Sequence, residues 1–307
     1  MPLWIFHLRT ARRRARAAAV AEALCLLEGL EATAPAGGPL SEQGGVFWIE
    51  LPEAGESAAR ERLPRLGYTV AVDALIALPE GASPRGERGG LVRWRGRLCR
   101  VERLYTEDEA AARESAPDRR VFLLEDERGT VRAVRGYRGD GGETSRRALP
   151  VCDARLLVNL ALPPGGTRLL DPFAGAGGVV REAMAAGCRV ASVDVDPMLR
   201  HGLAGLGARH CVADAARLPF GAARFDAVAT EPPYHPEALP AVLGGLREIA
   251  RVLRPGGRAA MLCAAAQARP LRREAEGLGL VLFLDVPIDR KGLGVALLVW
   301  RRAGPRG

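Results

Sequence analysis

The stretch Arg168-Leu169-Leu170-Asp171-Pro172-Phe173-Ala174-Gly175-Ala176-Gly177-Gly178, followed by Arg189-Val190-Ala191-Ser192-Val193-Asp194, decides how this chain is read. Each run carries apolar residues that suit a buried strand, and each strand closes on a carboxylate. Between the acids, Gly175 and Gly177 allow close approach to the backbone, and Gly178 lets a helix begin tightly against the preceding strand. The spacing predicts a strand at 168–171, a helix at 179–186 and a second strand at 189–194. Strand, short loop, helix and strand in that order form the crossover unit of a parallel sheet.

Outward from this unit the same alternation continues. A helix precedes it at 153–162 and ends at Pro163-Pro164-Gly165-Gly166. Asp196-Pro197 opens the next helix, because a proline in the first turn withholds an N–H that would have had no partner. Strands are expected at 209–213, 225–230 and 258–263, with helices at 238–253 and 271–278. The last two strands, at 280–286 and 293–300, meet at a tight turn at Lys291-Gly292 and, lacking a crossover helix, are expected to be antiparallel. The fold class is therefore α/β: a Rossmann-like, doubly wound sheet over residues 146–307, covered on both faces.

In such a sheet, ligands bind beyond the carboxyl ends of the strands where the strand order reverses. The candidate residues fall at those ends. Asp171 closes the first strand, Asp194 the second and Asp214 the third, and Glu231-Pro232-Pro233-Tyr234 follows the fourth. Asp194 is placed to accept from ribose hydroxyls and Asp214 from an adenine amino group. A nicotinamide dinucleotide would call for a third glycine where Val180 stands. The acid and proline ahead of the glycines instead suit an adenosyl sulfonium with an amino-acid tail, whose ammonium matches Asp171. S-adenosylmethionine is thus the expected cofactor, held by Asp171, Phe173, Gly175, Gly177, Asp194 and Asp214.

The second motif has its own chemistry. An exocyclic purine amine is a poor nucleophile because its lone pair is delocalised into the ring. Acceptors for its two hydrogens, the Glu231 carboxylate and the Pro232 carbonyl, favour a pyramidal nitrogen with its lone pair aimed at the methyl. Pro232 and Pro233 stiffen the loop, and Tyr234 is placed to stack on the base. His235, next in sequence, reads as a rim residue rather than a base.

These residues carry a resemblance. Residues 153–300 look like a class I methyltransferase domain. The sequence Ala154-Arg-Leu-Leu-Val-Asn-Leu-Ala161, leading to Leu-Leu-Asp-Pro-Phe-Ala-Gly-Ala-Gly-Gly and Val-Asp-Val-Asp-Pro, is similar to the THUMP-associated tRNA guanine-N2-methyltransferases. The resemblance implies a seven-stranded sheet with its last strand antiparallel, an N-terminal RNA-binding region, and tRNA as partner and substrate. Two departures stand out. The family carries Asp or Asn where this chain has Glu231, and the first 150 residues contain no recognisable THUMP pattern. Leu246 to Gly257 is equally typical of small-molecule methyltransferases. Methylation of a small molecule or protein, and cofactor binding without catalysis, therefore stand beside RNA methylation as alternatives.

The N-terminal half, 1–145, reads as a smaller α+β domain, with a ferredoxin-like arrangement expected. Strands are predicted at 3–8, 46–51 and 68–76, alternating with helices at 15–30 and 57–66. Beyond a loop at 79–90, residues 91–105 set Val92, Trp94, Leu98 and Val101 against Arg93, Arg95, Arg97 and Arg100. Period-two alternation puts one face in a core and arginines on the other, either solvated or gripping phosphates. A hairpin is expected at 121–137, turning at Arg128-Gly129, and a Gly-rich linker at 139–150.

Composition bounds the partners. Of 307 residues 48% are hydrophobic, and the formal net charge of +8 rests on arginine, with Lys291 the single lysine. The charge suits nucleic acid, while the arginine excess also follows from a GC-rich coding sequence. The six cysteines are scattered without a Cys-x-x-Cys pair or a spaced histidine, which disfavours a metal site or disulfides. No apolar run approaches the ~18 residues of a membrane span. The expected location is the cytoplasm.

Overall fold

The structure is a computed structural model and describes residues 3–35, 45–79, 90–107, 121–126, 128–135, 149–163, 165–290 and 293–304. The chain divides into two compact units, Met1–Glu109 and Ala110–Gly307.

The first unit contains β1 (Leu3–Leu8), α1 (Arg16–Leu26), β2 (Val46–Glu50), α2 (Glu56–Arg62), β3 (Thr69–Ala77), β4 (Leu91–Trp94) and β5 (Arg97–Thr106). Its five strands lie in the order β2-β1-β3-β5-β4 and every pairing is antiparallel. The ferredoxin-like arrangement is therefore not formed, since it requires helix-linked strands to run parallel. Here β1 is antiparallel to both β2 and β3. The connection after α1, residues 27–45, is long enough to bring the chain back to the other end of the sheet before β2 begins.

Both faces of this sheet are covered. Leu3, Ile5, Trp48, Leu75 and Cys99 cluster on one side, and Phe6 stacks on Phe47 at 4.9 Å on the other. Glu22, fully buried on α1, accepts the amides of Gly67 at 2.7 Å and Tyr68 at 3.0 Å, joining helix to strand entry. The arginine-bearing segment is a hairpin rather than one long strand. Arg95 and Gly96 form its turn at φ 47° and 78°, the paired positive values of a type I′ connection. Arg95 leaves the alternating row to pair with Glu50 at 2.7 Å.

The second unit opens with the hairpin β6 (Val121–Glu125) and β7 (Val131–Arg135), turning through Gly129 at φ 78°. The expected linker at 139–150 lies outside the described residues up to 148. The division of the chain nevertheless falls before the hairpin, not at 145. The reason is a set of ion pairs: Glu125 holds Arg200 and His201, fixing the hairpin within the second unit.

The main sheet comprises β8 (Arg168–Asp171), β9 (Arg189–Asp194), β10 (Arg209–Val212), β11 (Phe225–Thr230), β12 (Leu253–Ala264), β13 (Leu280–Arg290) and β14 (Leu293–Arg302). Helices α3 (Val151–Ala161), α4 (Gly178–Ala185), α5 (Arg200–Gly205), α6 (Leu239–Val252) and α7 (Ala265–Gly277) connect them. Strand order is β10-β9-β8-β11-β12-β14-β13, with β14 antiparallel to both neighbours. The seven-stranded, doubly wound expectation holds. Helix α6 shows how the layers join, burying Val242, Leu246, Ile249 and Val252 along one stripe at the spacing of a helix facing a sheet. Strand β12 begins five residues earlier than expected. Its pairing to β11 jumps from Phe225–Leu253 to Ala227–Arg258, and the Pro255-Gly256-Gly257 bulge, with Gly256 at φ 79°, absorbs the extra residues. Among the described residues no helix is long and apolar enough to cross a membrane.

Candidate active site

Strands β10, β9, β8 and β11 are consecutive neighbours and run parallel. Their carboxyl ends therefore share one edge of the sheet, and the order reverses on either side of β8. Asp171, Asp194, Asp214 and Glu231 lie at or just beyond these ends, as the sequence predicts.

Asp171 is 1% exposed and accepts the Thr230 hydroxyl at 2.8 Å and the Phe173 amide at 3.3 Å. Burial pushes its carboxyl up to about 7, opposed by those two donors and reinforced by the charges of Asp194 and Glu231. The loop behind it turns sharply. The Ala174 amide donates to Val193 and the Gly177 amide to Ala174. Gly175 and Gly177 both take left-handed conformations, at φ 48° and 76°, but for different reasons. A Cβ on Gly177 would lie 2.5 Å from Cδ1 of Leu206, whereas one on Gly175 would meet nothing within 4 Å. Gly177 is required by packing; Gly175 faces open space. Asp194 fixes this loop from the side, accepting the Gly175 amide at 2.8 Å and the Asp196 amide at 3.0 Å. Asp214 is exposed and caps the following turn through the Ala216 amide at 2.8 Å.

Phe173 is half-buried, and its ring lies over α6, where a Cβ on Gly245 would come within 2.8 Å of it. The ring thus packs against a helix in addition to flanking the loop.

The Glu231-Pro232-Pro233-Tyr234 loop is held by partners that sequence reasoning did not find. Arg290 Nη1 donates to Glu231 Oε1 and, at 2.9 Å, to the Tyr234 hydroxyl. The Tyr234 hydroxyl itself donates to Glu231 Oε1. Arg290 Nε sits 3.2 Å from the fully buried carboxylate of Asp153 on α3. Gln267 donates to the Pro233 carbonyl at 2.9 Å while accepting the Ala264 amide at 3.1 Å. Burial raises the Glu231 pKa while Arg290 and Tyr234 pull against it. Burial and the Glu231 charge raise that of Tyr234. Burial works against the Arg290 charge, yet Glu231 raises its pKa overall. The available signal for Arg290 was its place at the end of a strand running parallel to β11, which brings it to the same edge. His235 is exposed, 3.3 Å from Glu237, and lies at the rim as expected.

The open approach at Gly175, the buried carboxylate at its base and the amide-oriented Asp194 fit a ligand with a cationic amino-acid tail and a ribose. Sheet and site together define a class I, S-adenosylmethionine-dependent methyltransferase domain. Residues 170–261 match the family profile described as a methyltransferase domain. The chain is similar to the tRNA (guanine(10)-N2)-dimethyltransferase of Methanothermobacter thermautotrophicus, at 34% identity over 87 residues; the match covers 26% of each protein, so the chain spans about a quarter of that relative's length. Among solved structures it resembles TrmN from Thermus thermophilus (18% identity, TM-score 0.49, covering 98% of this chain and 100% of that one). It also resembles the T. thermophilus 16S rRNA N2 G1207 methyltransferase RsmC, solved with AdoMet and guanosine (20% identity, TM-score 0.42, covering 62% of this chain and 47% of that one).

Proposed function

We propose that this chain methylates an exocyclic amino group of a nucleobase in RNA, with guanine N2 in tRNA as its target. The observation that carries this reading is the Glu-Pro-Pro-Tyr loop at the end of β11, beside the glycine loop at the switch point. The partial relative acting on guanine N2 of tRNA supports it, as does a net charge of +8. The reading places the chain in the cytoplasm, with RNA as its partner.

When bound, S-adenosylmethionine supplies a methyl group on a sulfonium, which departs as a neutral thioether. The residues of the chain supply position and charge. Asp171 would meet the ammonium of the tail, Asp194 the ribose hydroxyls and Asp214 the adenine amine. The Glu231 carboxylate and the Pro232 carbonyl accept the two hydrogens of the target amine, turning its lone pair toward the methyl. Glu231, or water, would take the proton that the amine gives up on methylation. With so good a leaving group, alignment at ~3 Å provides most of the acceleration. Tyr234 buttresses the loop through its hydroxyl and offers its ring to the base.

The test is incubation of the protein with labelled S-adenosylmethionine and bulk tRNA, followed by digestion and mass spectrometry of nucleosides. Label in N2-methylguanosine is expected. An unlabelled RNA pool together with labelled metabolites or protein would overturn the RNA reading.

A further inference from the structure

The residue that distinguishes this chain's second motif, Glu231, is one methylene longer than the Asp or Asn of the resembling family. Its carboxylate therefore has one more torsion to fix before it can serve as an acceptor at a defined place. The structure provides a partner. The side chains of Arg290 and Glu231 are largely buried, at 17% and 20% exposure. Arg290 bridges two acids, with Nε on Asp153 and Nη1 on Glu231 Oε1. Asp153 is fully buried on α3, so the arginine is anchored by a helix on one side and holds the motif on the other. Tyr234 donates to the same oxygen. Among the described residues Glu231 Oε2 accepts no hydrogen bond.

We infer that Arg290 is a positioning residue for methyl transfer: anchored by Asp153, it fixes Oε1 of Glu231 and leaves Oε2 as the acceptor for one hydrogen of the substrate amine. The inference rests on the amine-methylation reading above. The guanidinium is a planar fork whose donors have set directions, so it defines where a carboxylate lies better than an ammonium can. It also holds the charge of a carboxylate that burial disfavours. The charged and titratable groups around Glu231 are Arg290 from β13, Asp153 from α3, Asp171 from β8 and Tyr234 from its own loop. Without Arg290, burial and the neighbouring acids act unopposed apart from Tyr234. The carboxyl then takes a proton at higher pH, and Oε2 loses acceptor strength.

The test compares the wild type with Arg290→Met, Arg290→Lys, Glu231→Gln and the Glu231→Gln/Arg290→Met pair, using bulk tRNA and saturating S-adenosylmethionine. Saturation removes the contribution of Asp171 to cofactor binding. For Arg290→Met we expect kcat at neutral pH to fall by about 10²-fold, with cofactor affinity by calorimetry unchanged. Its acid limb of kcat should move to higher pH. Arg290→Lys should regain part of the rate. The paired variant should lack that limb, because Gln accepts through a neutral amide. In denaturant unfolding without substrate, Arg290→Met should be destabilised and the added Glu231→Gln should recover only the part owed to Glu231, since Asp153 still lacks its arginine. Arg290→Met with wild-type kcat and pH profile, or with reduced kcat and an unmoved acid limb, would overturn the inference. So would additive effects in the unfolding cycle. That cycle needs no substrate, so its failure is distinct from a wild type that leaves RNA unlabelled while labelling metabolites or protein, which would refute the RNA reading itself.

Discussion

Replacing each loop glycine by alanine separates a packing requirement from a binding one. At Gly177 the new Cβ would sit 2.5 Å from Leu206 Cδ1 and 3.2 Å from Leu203 Cδ2, with φ at 76°. A left-handed alanine costs about 1 kcal/mol, and forcing a methyl against packed leucines adds about 1–3 kcal/mol. Gly177→Ala should therefore lose about 2–4 kcal/mol, lowering the melting temperature of a domain this size by on the order of 10 °C. At Gly175, with φ 48° and nothing within 4 Å of the added Cβ, only the same backbone term applies, about 1 kcal/mol. The added methyl enters the open space that the proposed function gives to the cofactor, so Gly175→Ala should bind S-adenosylmethionine at least tenfold more weakly. Calorimetric melting gives the first quantity and titration calorimetry the second. If the two variants melt together, or if Gly175→Ala binds as tightly as wild type, the assignment of the two glycines to different jobs is wrong.

Three other outcomes follow from the site. Asp171 has its pKa raised to about 7; the cationic tail needs it ionised, so cofactor affinity should weaken as pH falls through 7, and Asp171→Asn should flatten that dependence in titrations from pH 5.5 to 8.5. Ligand-free stability has the opposite sign: the folded acid holds its proton more tightly than the unfolded one, so this contribution is present at low pH and fades as pH rises toward 7. Asp226 is also pushed up by burial, but the Arg168 and Thr167 amides and Arg254 outweigh that and lower its pKa; it stabilises above the ordinary carboxylate range and loses the contribution as pH falls below it. Asp226→Ala should cost about 1–3 kcal/mol in urea unfolding at pH 7 and much less near pH 2. Glu231→Ala and Tyr234→Ala should lose turnover on tRNA while keeping cofactor affinity, whereas Asp194→Ala should lose the affinity; unchanged turnover in Glu231→Ala would remove that residue from the mechanism.

Much of the second unit was legible because each strand is a short apolar run ending at an acid or a turn. Strands β8, β9 and β11 have the bounds that pattern predicts. The carboxylates at their tips followed from topology alone. What the sequence did not disclose depends on partners far along the chain. Arg290 lies 59 residues beyond Glu231, and nothing in its immediate surroundings marks it as a neighbour. The hairpin's place in the second unit depends on Glu125 finding Arg200, 75 residues away. In the first unit, the period-two reading of 91–105 put Val92, Trp94 and Val101 against the core, as found, but could not register the reversal at Arg95-Gly96, which puts Leu98 beside Arg93 and Arg97 beside Trp94. A type I′ turn occupies only two residues, too few to interrupt the run, yet it exchanges the face that odd and even positions take.

Asp194 carries a consequence for how fast and how tightly the site works. Its carboxylate already accepts amides from two separate loops, those after β8 and β9. The backbone that the proposed cofactor would meet is therefore set in shape before it arrives. Little chain has to be ordered on encounter, so less of the contact energy is consumed in ordering it. Variation around this loop should then be expressed mainly as a change in how long the cofactor stays, with its arrival rate nearly constant.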